Sequence, residues 1–184
     1  MIETANTPNP DTLKFLPGKK VSEAGPVEFS KSDKNIAIPL ANKILSLNGT
    51  VMVFFGEDFI TVKKNKEISW DNIKHGIISE INDHYSKGNT IIVTKDLIKL
   101  DKKQNKEQPN EVVKKIQEVL DEKIRPAVAR DGGDIKFKSF NDGIVTVELR
   151  GSCSGCPSSI MTLKQGVQNL LCHYVPEVKS VEAH

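Results

Sequence analysis

In Arg150-Gly151-Ser152-Cys153-Ser154-Gly155-Cys156-Pro157-Ser158-Ser159, two cysteines stand two residues apart among glycines and serines, and a proline follows them. Upstream, Ile135–Phe140 and Ile144–Leu149 alternate as strands around Asn141-Asp142-Gly143, a hairpin turn signal. Downstream, Ile160, Leu163, Val167, Leu170 and Tyr174 recur at helical spacing. The cysteines therefore belong where a strand ends and a helix begins. Pro157 suits the first helical position, where a missing N–H costs nothing. The open N–H groups and positive dipole end of that helix favour a thiolate at Cys156.

Working outward, Asn110 is placed to cap a helix that buries Val112, Val113, Ile116, Val119, Leu120 and Ile124, with a break or kink expected at Arg125-Pro126. Arg130-Asp131-Gly132-Gly133-Asp134 reads as a tight turn into the hairpin, its aspartates bonding the local backbone. Val178–Val181 is the expected last strand. Further upstream, Lys99–Pro109 is polar and lysine-rich, with little to bury. Before it, Thr12–Leu16, Val27–Phe29, Val51–Phe55 and Phe59–Lys63 read as strands, and Thr90–Val93 as one more. Ala37–Leu47 and Trp70 to about Tyr85 read as helices, with Ser69 as a cap and Trp70 as a core anchor. The fold class expected is α+β: two small α+β domains, residues 1–90 and 110–184, joined by a polar, lysine-rich linker at 91–109.

The 184 residues have a formal charge of only +2. Residues 1–109 carry 16 basic and 14 acidic side chains, and residues 110–184 carry 10 of each. Neither part has the basic bias of a nucleic-acid binder, and no apolar stretch is long enough to span a bilayer. Three cysteines, two of them a tight pair, do not make a secreted disulfide framework. Met1-Ile2-Glu3-Thr4-Ala5 has no secretory pattern. A reducing compartment is expected: bacterial cytoplasm, with a mitochondrial matrix as the alternative.

A C-x-x-C pair can cycle as a redox dithiol or offer two thiolates to a soft or borderline metal. One pair leaves zinc or a cubic iron–sulfur cluster half coordinated. Cys172 cannot complete the set: sixteen residues of continuous helix place it about 20 Å from Cys156. His173 sits at the same far end, and His75, His84 and His184 lie elsewhere in the chain. A second copy of the chain supplies the missing ligands most simply, a two-fold axis bringing two pairs around one cluster. Arg150 and two helix N-termini would offset the charge of such a cluster. A thioredoxin-like fold fits less well, because only 28 residues follow Cys156 and the proline lies after the pair. A dithiol–disulfide oxidoreductase and a zinc-bridged module remain as rivals on these residues.

Arg130–Asp134, Gly151–Ser159 and His173-Tyr174-Val175-Pro176-Glu177-Val178 closely resemble the C-terminal domain of NifU, the Nfu family. Thr7-Pro8-Asn9-Pro10-Asp11-Thr12-Leu13-Lys14-Phe15-Leu16-Pro17-Gly18 resembles the N-terminal domain of the same family. The resemblance implies a non-enzymatic iron–sulfur cluster scaffold or carrier. It would be loaded by upstream assembly proteins and donate to recipient apoproteins. It implies a [4Fe–4S] cluster on Cys153 and Cys156, shared between the two chains of a homodimer, and an N-terminal domain that contributes to partner recognition. Full-length NifU also has a cluster-assembly domain and a ferredoxin-like cysteine set. Neither has a counterpart in this sequence, so the resemblance does not extend to building clusters directly with a cysteine desulfurase. Cys172 lies outside the family motif.

Overall fold

The computed structural model describes residues 1–98, 110–154 and 157–184. The chain divides into two compact units, Met1–Lys103 and Gln104–His184. Helices and sheets build both units, as an α+β fold requires.

The first unit is a five-stranded antiparallel sheet formed by β1 (Glu3–Asn6), β2 (Thr12–Leu16), β3 (Val27–Ser30), β4 (Thr50–Phe55) and β5 (Ile60–Lys64). Its order is β1-β2-β5-β4-β3. Helices α1 (Pro39–Ser46) and α2 (Trp70–Ser86) pack on it. Pro39 takes the first turn of α1, where no N–H is needed. Ser69 accepts the Asp71 N–H and caps α2. Leu40, Ala41, Ile44, Ile73, Ile77 and Ile81 meet Phe15, Val53, Phe55, Ile60 and Val62 in one core. Trp70 lies edge-on to Phe15, ring centroids 6.5 Å apart, and donates to the Pro10 carbonyl at 3.2 Å. It is thus the anchor its position suggested.

Two local readings need correction. β1 was not expected, because Glu3-Thr4-Ala5-Asn6 has no alternating apolar pattern. It forms through its pairing with β2, and the turn between them is held by Asn9, whose Oδ1 accepts the Asp11 N–H at 3.0 Å. Conversely, Thr90–Val93 does not form a strand. Val93 makes one isolated parallel bridge to Ser22, and the N–H groups of Ile92 and Val93 both reach the Val21 carbonyl. Burial of Ile92 and Val93 in the first core holds this stretch in place without a ladder. A short helix, α3 (Lys95–Ile98), follows, and Lys99–Pro109 lies outside the described residues.

The second unit begins with α4 (Glu111–Val119), whose N-cap Asn110 accepts the Val113 N–H at 2.8 Å. The break expected at Arg125-Pro126 is instead a change of pitch. Leu120–Ile124 is π-helical, with the Arg125 N–H bonded back to the Leu120 carbonyl, and α5 (Arg125–Arg130) resumes with Pro126 in its first turn. A wider turn just before the proline absorbs the clash and missing donor that would otherwise end the helix. β6 (Gly133–Asn141) and β7 (Ile144–Gly151) form the hairpin. Asp142 and Gly143 have φ of 51° and 81°, as a two-residue type I′ loop requires. α6 (Pro157–Tyr174) then crosses back, so that β8 (Ser180–Ala183) pairs parallel to β7, in the order β6-β7-β8.

Ile116, Leu120, Ile124 and Val128 pack with Ile135, Val145, Val147 and Leu149, with Val167 and Leu171 of α6, and with Val175 just beyond it. The buried line of α6 thus runs through Val167 and Leu171. Tyr174, expected on that face, is exposed. Gly166 lies on the outer side of α6, where an added Cβ would meet nothing within 4 Å. Gly166→Ala is therefore expected to stabilise the second unit by about 0.5–1 kcal/mol through helix propensity alone. Denaturant unfolding of that unit reads the effect, and a destabilised variant would contradict the exposed geometry.

Candidate cysteine-loop site

The site is the connection between β7 and α6. β7 ends at Gly151 and α6 begins at Pro157, so the C-x-x-C lies at a strand-to-helix junction. Cys156 and Gly155 fall outside the described residues, as do the side chains of Pro157–Ser159. The geometry therefore concerns Gly151–Ser154 and what surrounds them.

Cys153 is not on the surface. It is 4% exposed and belongs to the core of the second unit. Ser152 is 1% exposed; its Oγ donates to the Asp131 carbonyl, and its N–H reaches the Gly132 carbonyl at 3.3 Å. Ser154 closes the loop on itself, its N–H and Oγ both bonding the Gly151 carbonyl, at 3.2 and 3.0 Å. The turn at Asp131–Gly133 and the cysteine loop are thus laid against each other. Gly132 has φ of 80°, so the tight-turn reading holds there.

Asp134 bonds the local backbone at Ile135, as expected of a turn residue, and is also held from outside the turn. Arg125 grips its carboxylate, Nε to Oδ1 and Nη2 to Oδ2 both at 3.2 Å, while Nε also donates to the Ile135 carbonyl. Burial raises the Asp134 carboxyl above its ordinary value, against the lowering effect of Arg125. A raised folded-state value means that the group's contribution is fully present below its unfolded value and is lost as pH rises through the folded one. Removing Arg125 pushes the carboxyl higher still. Arg125→Ala is expected to cost about 1–3 kcal/mol at neutral pH, where a buried charge loses its partner, and less in acid, where Asp134 is protonated. Urea unfolding at both pH values checks this; an equal loss at both would show that Asp134 is not the affected group.

Arg150 leads out of the end of β7, just before the cysteine loop. Its Nη2 lies 3.5 Å from Glu148 Oε2, which Lys138 Nζ approaches at 2.8 Å. Cys172 sits near the other end of α6, its thiol 3.7 Å from the Lys179 carbonyl. His173 stacks edge-on with Tyr174 beside it. In the first unit, the His84 ring contacts the Ile91 carbonyl at 3.2 Å. Among the described residues, no three of His, Cys, Asp and Glu are grouped to hold a metal ion. No described helix is long and apolar enough to cross a membrane. Sequence reasoning missed the contact between Gly133 and Cys153. A glycine doublet upstream of the cysteines is the only signal of it, and a doublet reads first as a turn.

Residues 2–88 match the family model described as scaffold protein Nfu/NifU N terminal, and residues 116–182 match the NifU-like domain. The chain belongs to the Nfu/NifU family. It is similar to NifU-like protein 4, mitochondrial, of Arabidopsis thaliana, 45% identical over 183 residues that cover 98% of this chain and 65% of that protein. It is also similar to the human NFU1 iron-sulfur cluster scaffold homolog, mitochondrial, 44% identical over 182 residues that cover 98% of this chain and 70% of that one. The chain thus spans about two thirds of the length of the curated relatives it matches. A solution NMR structure of a NifU-like protein from Saccharomyces cerevisiae is 26% identical, with a TM-score of 0.47, covering 52% of this chain and 85% of that one. In this Nfu/NifU chain the cysteine loop falls inside the NifU-like match, and the turn that anchors it does too.

Proposed function

We propose that this chain is an iron–sulfur cluster scaffold and carrier, which receives a cluster from upstream assembly proteins and delivers it to recipient apoproteins. The observation that carries the reading is the occurrence of both family domains, in order, on one chain, with the C-x-x-C inside the second. The cluster is cargo rather than a resident cofactor. Cys153 and Cys156 are its ligands on each chain. A [4Fe–4S] cube takes one thiolate per iron, so two chains supply four, and a homodimer forms around the cargo. An interface held mainly by the cluster separates readily, which suits delivery.

The division of labour follows the two units: residues 110–184 hold cargo, and residues 1–90, with Ile92 and Val93 in their core, meet partners. The mitochondrial names of the similar relatives favour a mitochondrial matrix over bacterial cytoplasm. The test is anaerobic reconstitution with iron and sulfide. About four irons and four sulfides per two chains, with a shift from monomer to dimer, is the expected result. One full cluster per monomer would sink the shared-cluster arrangement. A colourless chain with a readily cycled Cys153–Cys156 disulfide would favour the oxidoreductase.

A further inference from the structure

Gly133 is glycine for a reason that its backbone does not give. Its φ is not in the left-handed region, so any residue could adopt its conformation. What forbids a side chain is its neighbours: a Cβ there would lie 2.9 Å from Cys153 Sγ and 2.6 Å from the Arg150 carbonyl oxygen. The Cys153 sulfur therefore rests against the backbone of Gly133, facing the core. On either side, Ser152 ties the loop to the turn through the Asp131 and Gly132 carbonyls. The loop is anchored by one buried side chain immediately before the cysteine, and the surface that receives the sulfur is shaped by an absent side chain.

With its sulfur packed against Gly133 and the residue 4% exposed, Cys153 cannot at the same time ligate a cluster shared with a second chain. We infer that the Asp131-Gly132-Gly133 turn is a seat for the Cys153 thiol that competes with cluster binding, and that Ser152 and Gly133 are positioning residues which set how often the sulfur leaves it. The inference rests on Cys153 being a cluster ligand. It adds that the protein itself holds a rival position for that ligand. Ligation requires Cys153 to turn out of the core, and return to the seat gives the sulfur a place to go when the cargo is handed on. Weakening the seat raises the outward population; a chain with no seat would bind cargo more readily and release it more slowly.

The test reads the sulfur directly and uses no iron. In the full chain with Cys156→Ser and Cys172→Ser, Cys153 is the sole thiol. Its alkylation by N-ethylmaleimide is followed by mass at one fixed pH, folded and in urea. The expected folded rate is at least about tenfold below the unfolded one, as burial of the thiol requires. Ser152→Ala should raise the folded rate about fivefold, the change expected for loss of one ordinary hydrogen bond. The folded rate should depend only weakly on low urea concentrations, because a local opening exposes little surface. Gly133→Ala, where circular dichroism shows it folded, should raise the rate further. A folded rate equal to the unfolded one overturns the seat. So does an unchanged rate in Ser152→Ala, or a urea dependence that follows global unfolding, which is what a merely structural serine would give. Failure of the cluster reading appears in reconstitution alone, so the two failures are distinguishable.

Discussion

Cys153→Ser and Cys156→Ser are each expected to abolish cluster loading and the dimerisation linked to it, while Cys172→Ser leaves both intact. Serine replaces a soft thiolate with a hydroxyl that stays protonated at neutral pH and binds iron of a cluster poorly. In a shared site each single substitution removes two of four ligands, because both chains carry it. The position of Cys172 argues the other half of the prediction. Its thiol meets the Lys179 carbonyl near the C-terminal end of α6, a helix continuous from Pro157, far from the loop at the other end. Cys153→Ser places a hydroxyl in a buried position, at a cost of about 1–3 kcal/mol where it finds no partner. Circular dichroism and denaturant unfolding separate that loss from lost ligation. Iron per chain and mass in solution are the decisive readings. A cluster retained by Cys153→Ser, or lost in Cys172→Ser, would refute the ligand assignment.

The elements that were legible in the sequence are those whose signal is local. Asn141-Asp142-Gly143 demands a turn with positive φ at two positions, and the hairpin has one. Pro39 and Pro157 fit only the start of a helix, and both stand there. The strand-to-helix junction around the cysteines follows from these same cues. What escaped the reading depends on partners distant in the chain. β1 exists because β2 offers an edge, and Thr90–Val93 stays out of a ladder because its burial is met by Val21 and Ser22. A π-helical turn solves the Arg125-Pro126 problem, and periodicity alone cannot distinguish that from a kink. Asp134 keeps its local bond at Ile135, but the grip of Arg125, nine positions earlier, carries no local signal. The packing of Cys153 on Gly133 joins residues twenty apart across a hairpin. The strand-to-helix setting of the cysteines was readable from local cues; the inward position of Cys153 was not.

Leu171→Ala is expected to destabilise the second unit selectively and to weaken cluster loading with it. Leu171 has no exposed surface and is among the largest fully buried side chains. It packs in the core that also contains Ile116, Leu120, Val147 and Cys153. Truncating a buried leucine costs about 2–5 kcal/mol, including the cavity left behind. A domain the size of residues 110–184 holds only about 4–11 kcal/mol in total. The substitution therefore consumes much of the margin, and cluster loading weakens with the fold of the unit. The first unit should not follow, because its core, built on Phe15, Val53, Ile77 and Ile81, has no residue in common with the second. Trp70 is the chain's only tryptophan and packs against that first core, so its fluorescence reports the first unit by itself. The expected result is an unchanged Trp70 transition beside a circular dichroism transition moved to much lower denaturant. A Trp70 transition displaced by the same amount would mean that the two units unfold as one body. Cargo binding and partner recognition would then be coupled through stability, and loss of a cluster could not be assigned to the second unit alone.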